Sequence, residues 1–212
     1  MKNIFYIIVT FYAISINAQY NILPLEGNAG YGDINNAYYK DLDSNLNQFV
    51  GTWVYTNGNT SFKIILQKKE IVYMQGGFIN YYTDFIVGEF QYIENGVEKI
   101  NTLSNLATNY SYIFDYNIVG HAILSKNKFL TCNECDDNEK RLLAELKEPL
   151  TRNVSGLEAK IIFRKIIENG VEKLIAKYYL YSLSRGILND GTPTTIEIHT
   201  VPYGEYTLIK EL

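Results

Sequence analysis

Cys132 and Cys135 are the residues whose type and spacing imply chemistry most directly, lying in Thr131-Cys132-Asn133-Glu134-Cys135-Asp136-Asp137. A Cys-x-x-Cys pair can close a local disulfide, work as a redox couple or hold half of a zinc site. A redox couple needs a positive surrounding to lower the thiol pKa, and Glu134, Asp136 and Asp137 supply the opposite. Zinc needs two further ligands, and the chain's two histidines, His121 and His199, stand at no recognised spacing. In an exported chain the disulfide is the leading reading. So small a ring restrains little of the unfolded chain.

The remaining candidates for chemistry are sparse. His121 alternates with Val119 and Ile123, as a core or barrel-lining histidine would. His199 shares a strand face with Glu197 and Thr195, and the pair His199/Glu197 would suit acid–base work or ligand recognition if that face points inward. If it points outward, it is an ordinary solvated face. Asp41-Leu42-Asp43-Ser44-Asn45 begins like a calcium loop, but Leu46 stands where Gly is needed and Thr52 where the closing Glu belongs. A capped turn before the first strand fits better. The chain has no Gly-x-Ser-x-Gly, no His-Glu-x-x-His and no glycine-rich phosphate loop. No catalytic residue, metal site or cofactor is assigned from the sequence.

Composition bounds the rest. The 212 residues are 47% apolar and 20% charged, enough for one domain with a substantial core. Lys2, an apolar run from Ile4 to Ile16 and Ile16-Asn17-Ala18 before Gln19 read as an export signal over 1–18. The run is short for a membrane span, which takes ~20 residues. Loss of 1–18 leaves 18 basic against 23 acidic side chains, a net charge of −5 with no basic block. Nucleic acid and anionic membranes are therefore poor partners. The mature chain is expected in the periplasm or outside the cell.

Nineteen Tyr and ten Phe against four Pro favour strands. Residues 19–47 show little periodicity and read as an extended arm; 48–212 form the domain. Phe49, Gly51, Trp53 and Tyr55 share one face of a first strand. Thr56-Asn57-Gly58-Asn59 marks a tight hairpin turn. The hexamer Glu-Asn-Gly-Val-Glu-Lys occurs at 94–99 and again at 168–173, each time between alternating runs, an internal repeat of a hairpin. Further strands are expected near 71–74, 84–93, 97–103, 116–124, 141–148, 194–200 and 205–210. About ten antiparallel strands joined by short connections favour an all-β, up-and-down barrel, since closure removes exposed edges.

Phe49-Val50-Gly51-Thr52-Trp53 resembles the Gly-x-Trp signature of the lipocalin-like (calycin) barrels. More broadly, Tyr38-Tyr39-Lys40-Asp41 through Asn59, Gly88-Glu89-Phe90 to Asn101-Thr102-Leu103, and Val201-Pro202-Tyr203-Gly204-Glu205-Tyr206 resemble a family of uncharacterised secreted bacterial proteins of the Bacteroidota type. The lipocalin resemblance implies a closed barrel end at Trp53, covered by a basic side chain from near the last strand. Lys210 is best placed for that role, where a cation over the indole contributes ~0.5–1 kcal/mol or more.

Two functions from different classes follow. The first is a non-enzymatic barrel holding a small apolar or amphipathic ligand, with Tyr55, Ile64, Tyr92, Tyr178 and His199 as lumen candidates. The second is a structural or protein-interaction module whose barrel is filled by its own side chains, with function on loops or on the arm. An extracytoplasmic protein would then be its partner.

Overall fold

The computed structural model describes residues 20–152, 154–181, 187–188, 192 and 199–211. The export signal expected at 1–18 and Glu197 lie outside them, as does nearly all of the strand expected at 194–200. Regular structure is almost wholly strand, and helix among the described residues is confined to three short 3-10 turns.

Eight strands close a ring: β3 (Gly51–Asn57), β4 (Thr60–Gly76), β5 (Ile79–Glu94), β7 (Ile118–Leu124), β8 (Arg141–Leu146), β10 (Ala159–Glu168), β11 (Val171–Leu180) and β13 (Gly204–Glu211). All eight seams are antiparallel. The all-β closed barrel expected from the hairpin pattern therefore forms. Of the roughly ten strands expected, the segment near 71–74 proves to be a continuation of β4, the one near 97–103 flanks the ring, and the others within the described residues make the ring. β6 (Val97–Asn101) pairs with the far end of β5. The arm is itself partly sheet: β1 (Asn21–Pro24) lies parallel to β2 (Ala37–Lys40), which lies parallel to β5 at Tyr82 and Thr83. A short pair, β9 (Val154–Ser155) with β12 (Ile187–Leu188), stands apart from the ring.

Local chemistry explains the hairpins. In both copies of the repeated hexamer, Asn and Gly take positive φ, 52° and 79° at Asn95-Gly96 and 53° and 78° at Asn169-Gly170. This is the primed turn whose twist matches its flanking strands. The copies then diverge, because β10 and β11 both join the ring whereas β6 stays outside it.

Closure is made at the β5–β7 seam, where Ile86 pairs with Gly120 and Gly88 with Ile118. A Cβ at Gly88 would lie 2.6 Å from Leu66 Cδ2, and one at Gly120 would lie 2.5 Å from the Leu143 carbonyl oxygen. Two glycines thus let neighbouring strands approach closely enough to finish the ring.

Period-two alternation fills the interior. Trp53, Phe62, Ile64, Leu66, Ile86, Phe90, Ile118, Leu142, Ile161, Phe163, Leu174, Ala176 and Leu208 are essentially fully buried in one continuous core. A second, smaller core lies on the outer face of β5 and β7. There Phe85, Val87 and Val119 are covered by Ile113 and Tyr116 from the excursion between β6 and β7.

Candidate functional site

Two ends of the barrel gather the residues that the sequence marks out. At one, Trp53 is fully buried and donates from Nε1 to the Phe49 carbonyl at 2.9 Å. The 3-10 turn Asn47–Phe49 seals this end. Lys210, directly across the strand pair from Trp53, carries its ammonium 5.6 Å from the indole centroid and also pairs with Glu172. Gly51 leaves the passage for that side chain, since an added Cβ would stand 3.4 Å from Lys210 Cε.

The other end is rich in tyrosine. Tyr178 pairs with Gly204 across the β11–β13 seam, and its ring lies 5.2 Å from Tyr203 and 6.1 Å from His199. Tyr206 contacts Tyr55 at 5.1 Å and Phe62 at 5.2 Å, and Phe62 contacts Tyr92 at 6.3 Å. Tyr55, Tyr92, Tyr178 and His199 therefore assemble here, while Ile64 lies deeper, paired with Trp53. Tyr92, Tyr178 and Ile64 are buried and Tyr55 is half-buried.

The polar groups at this end are held unequally. His199 Nδ1 and the Tyr203 hydroxyl share a hydrogen bond of 2.6 Å, and burial holds the imidazole neutral, its pKa lowered to about 4. Tyr206 donates to the Pro202 carbonyl at 2.5 Å. The Tyr178 hydroxyl is buried with no partner among the described residues, and burial first, then Glu148, pushes its pKa up. Glu148 itself is fully buried. Its two oxygens each accept a backbone N–H at 2.7 Å, from Thr200 and Val201. Burial raises its pKa against those two donors.

Glu148 was invisible in the sequence because its partners lie some fifty residues on. The same holds for Glu89, whose side chain points out of the barrel under the excursion before β7. Glu89 is fully buried, accepts from Asn117 N–H at 3.3 Å and leaves Oε2 without a partner. Burial raises its pKa to about 7.

A third buried acid secures the arm. Asp84 accepts from the Tyr38 hydroxyl at 2.5 Å, the Asp41 N–H at 3.0 Å and the Ile71 N–H at 3.3 Å. Lys68 bridges Asp41 at 3.1 Å and Asp84 at 3.7 Å. Burial alone would lower the Lys68 pKa, but Asp41 and Asp84 outweigh it and raise it. Asp41 also accepts the Asn45 and Leu46 N–H groups, so its carboxylate is committed to capping the turn before β3.

Cys132 and Cys135 form the disulfide expected of them, with Cα atoms 5.4 Å apart. Their loop is fastened by two arginines. Arg141 donates to the carbonyls of Ser125, Lys126 and Lys128, and Arg164 to the Glu134 carbonyl and the Glu139 carboxylate.

His121 corrects the simple alternation. The β7–β8 register shifts between Gly120 and Ala122, so Val119 faces the outer core while Ile123 faces the barrel. His121 stands at this bulge and turns outward rather than lining the lumen, as bulges re-aim side chains. Its ring is stacked on Tyr31 at 5.1 Å and meets Phe85 edge-on at 4.7 Å. Beside it, the arm loop Leu25–Ala29 and β7 enclose a cleft of about 350 Å³.

Among the described residues, no group of three or more His, Cys, Asp or Glu is placed to hold a metal, and no helix is long and apolar enough to cross a membrane. No curated protein and no solved structure matches the chain. A model for a family of unknown function (DUF6705) matches residues 1–211, and the chain belongs to that family.

Proposed function

We propose that this is an exported, non-enzymatic interaction protein whose barrel is filled by its own side chains and acts as a rigid scaffold for recognition on its outer surface. One observation carries this reading: Trp53, Phe62, Ile64, Phe90, Phe163 and Tyr178, on five different ring strands, are fully buried against one another or their neighbours. A lumen so occupied excludes a guest unless side chains move, and close-packed cores resist such movement. The export assignment rests on the pattern of residues 1–18. The non-enzymatic assignment rests on the separate enclosure of two of the buried acids, Glu148 being held by two backbone N–H groups and Asp84 by a hydroxyl, two N–H groups and a lysine. That is how structural carboxylates are held.

A second reading keeps an apolar or amphipathic ligand at the tyrosine end, and the unpartnered Tyr178 hydroxyl favours it. Native mass spectrometry of the mature protein from its producing cells separates the two. The filled-barrel reading expects the same mass under gentle and denaturing conditions. A reproducible extra mass that disappears on Tyr178→Trp, which would crowd the lumen, overturns it in favour of the second.

A further inference from the structure

The cleft beside His121 carries features that the packing of the arm does not use. His121 projects from a bulge in β7, outside the strand ladder, and is clamped between the Tyr31 face and Phe85. A ring held on two sides is pre-organised, so little ordering remains when a ligand binds. Its nitrogens make no hydrogen bond to any of the described residues, although the residue is half-buried. Enclosure keeps the imidazole neutral at pH 7, its pKa lowered to about 4, so one nitrogen carries a proton to donate and the other a lone pair to accept.

The other groups lining the cleft define what fits. Lys128 is exposed, lines the cleft and forms no ion pair among the described residues. Glu26, the cleft's carboxylate, is already bound by Lys140 and by Asn45 Nδ2 at 2.8 Å. Asn28 accepts from the Gly30 N–H at 3.0 Å. Leu25, Ala29, Ala122 and Ile123 complete apolar walls. At about 350 Å³ the cleft reaches only the lower end of the usual range for ligand pockets, roughly 300–1,000 Å³.

From this arrangement we infer that the cleft between the arm and β7 is a binding site for a small carboxylate with a short aliphatic body. The carboxylate sits against Lys128 and accepts a hydrogen bond from His121, and the aliphatic part lies along Ala29, Ala122 and Ile123. Charge-assisted contacts of this kind are stronger than neutral ones and set the preference for an anion. The inference rests on the outer-surface reading above and gives it a place and a ligand class.

The chain has only two histidines, one at each site, so their imidazole NMR signals report separately. Titrating the mature protein with hexanoate should move the His121 signal saturably and leave that of His199 in place, while hexylamine should move neither. Lys128→Glu should weaken hexanoate binding about tenfold, equivalent to ~1.4 kcal/mol. His121→Phe, which keeps the stack on Tyr31 but removes the nitrogens and with them the reporter signal, should weaken it comparably by isothermal titration calorimetry. An unmoved His121 signal, an equal response to hexylamine, or unchanged affinity in both variants overturns the inference. A response confined to His199 overturns the filled-barrel reading as well, because it places the ligand at the tyrosine end.

Discussion

The two ends of the barrel are built from the same strands and solve opposite problems. At the tryptophan end, Trp53 carries one polar atom, and a carbonyl four residues away accepts its hydrogen bond. Its cover, Lys210, comes from the strand beside it. At the tyrosine end, hydroxyls, an imidazole and a carboxylate are buried together, and one of them, on Tyr178, has no partner among the described residues. The first end is satisfied locally. The second depends on Glu148 reaching across to the segment before β13. Local satisfaction makes a barrel end a plug; polar burial at long range makes it a place where stability and specificity can be traded.

Substitutions can break this contrast, and the largest effect is expected at the plug. Trp53→Ala should destabilise by ~3–5 kcal/mol, read from the denaturant midpoint, because it removes a fully buried indole that the sealed end cannot refill. Glu148→Ala should follow at ~2–3 kcal/mol, since the Thr200 and Val201 N–H groups lose their shared acceptor in a buried position. Glu148→Gln should recover part of that loss by keeping one oxygen acceptor. Were the alanine variant as stable as the parent, the tyrosine end would not depend on its long-range anchor.

A pH series extends the contrast to the outer core. Burial raises the Glu89 pKa to about 7 from the 4.5 of a free carboxylate, so the folded state holds this proton more tightly than the unfolded one. Its contribution to stability is therefore present below pH 4.5, is lost as pH rises towards 7, and stays lost above that. Glu89→Gln should remove this slope and gain on the order of 2 kcal/mol at pH 7.5. His121 and His199 act in the opposite direction. Each has its pKa lowered from 6.5 to about 4, so stability should fall as the solution is acidified from pH 6.5 towards 4. Thermal melts of the parent and of Glu89→Gln between pH 4 and 8 would test both limbs.

The smallest effect is expected at Tyr178. Removing a buried hydroxyl that has no partner leaves nothing unsatisfied, so Tyr178→Phe should change stability by less than about 0.5 kcal/mol or raise it slightly. A clear loss would mean that the hydroxyl has a partner in the native protein, and would strengthen the reading that places a ligand at that end.

Much of the fold was legible from short range. Asn95-Gly96 and Asn169-Gly170 turn the chain through a positive φ at both residues, which Asn and Gly adopt readily, and at the first hairpin Gly58 alone takes it, beyond the paired Asn57. Alternation separated Ala159, Ile161 and Phe163 from Lys160 and Arg164, as found. The candidate sites were less legible. Tyr55, Tyr92, Tyr178 and His199 were named individually, but what joins them is Glu148, Tyr203 and Tyr206, none of which stands out along the chain. Tyr31 looked like part of a featureless arm, and its role appears only when the arm lies beside the bulge at His121.

The sequence by itself thus determined that the chain is all-β, that it turns at Asn95-Gly96 and Asn169-Gly170, which strand faces are apolar, and that a local disulfide is the leading use of Cys132 and Cys135. Each of these depends on residues close together in the chain, where conformational preference and side-chain period act directly. Only the tertiary structure decided that eight strands close through β5 and β7, that β1 and β2 add in parallel, that β7 bulges at His121, and that Asp84, Glu89 and Glu148 are buried. Those outcomes depend on pairings between distant segments, where register and burial are set by which surfaces meet, and no local pattern encodes that meeting.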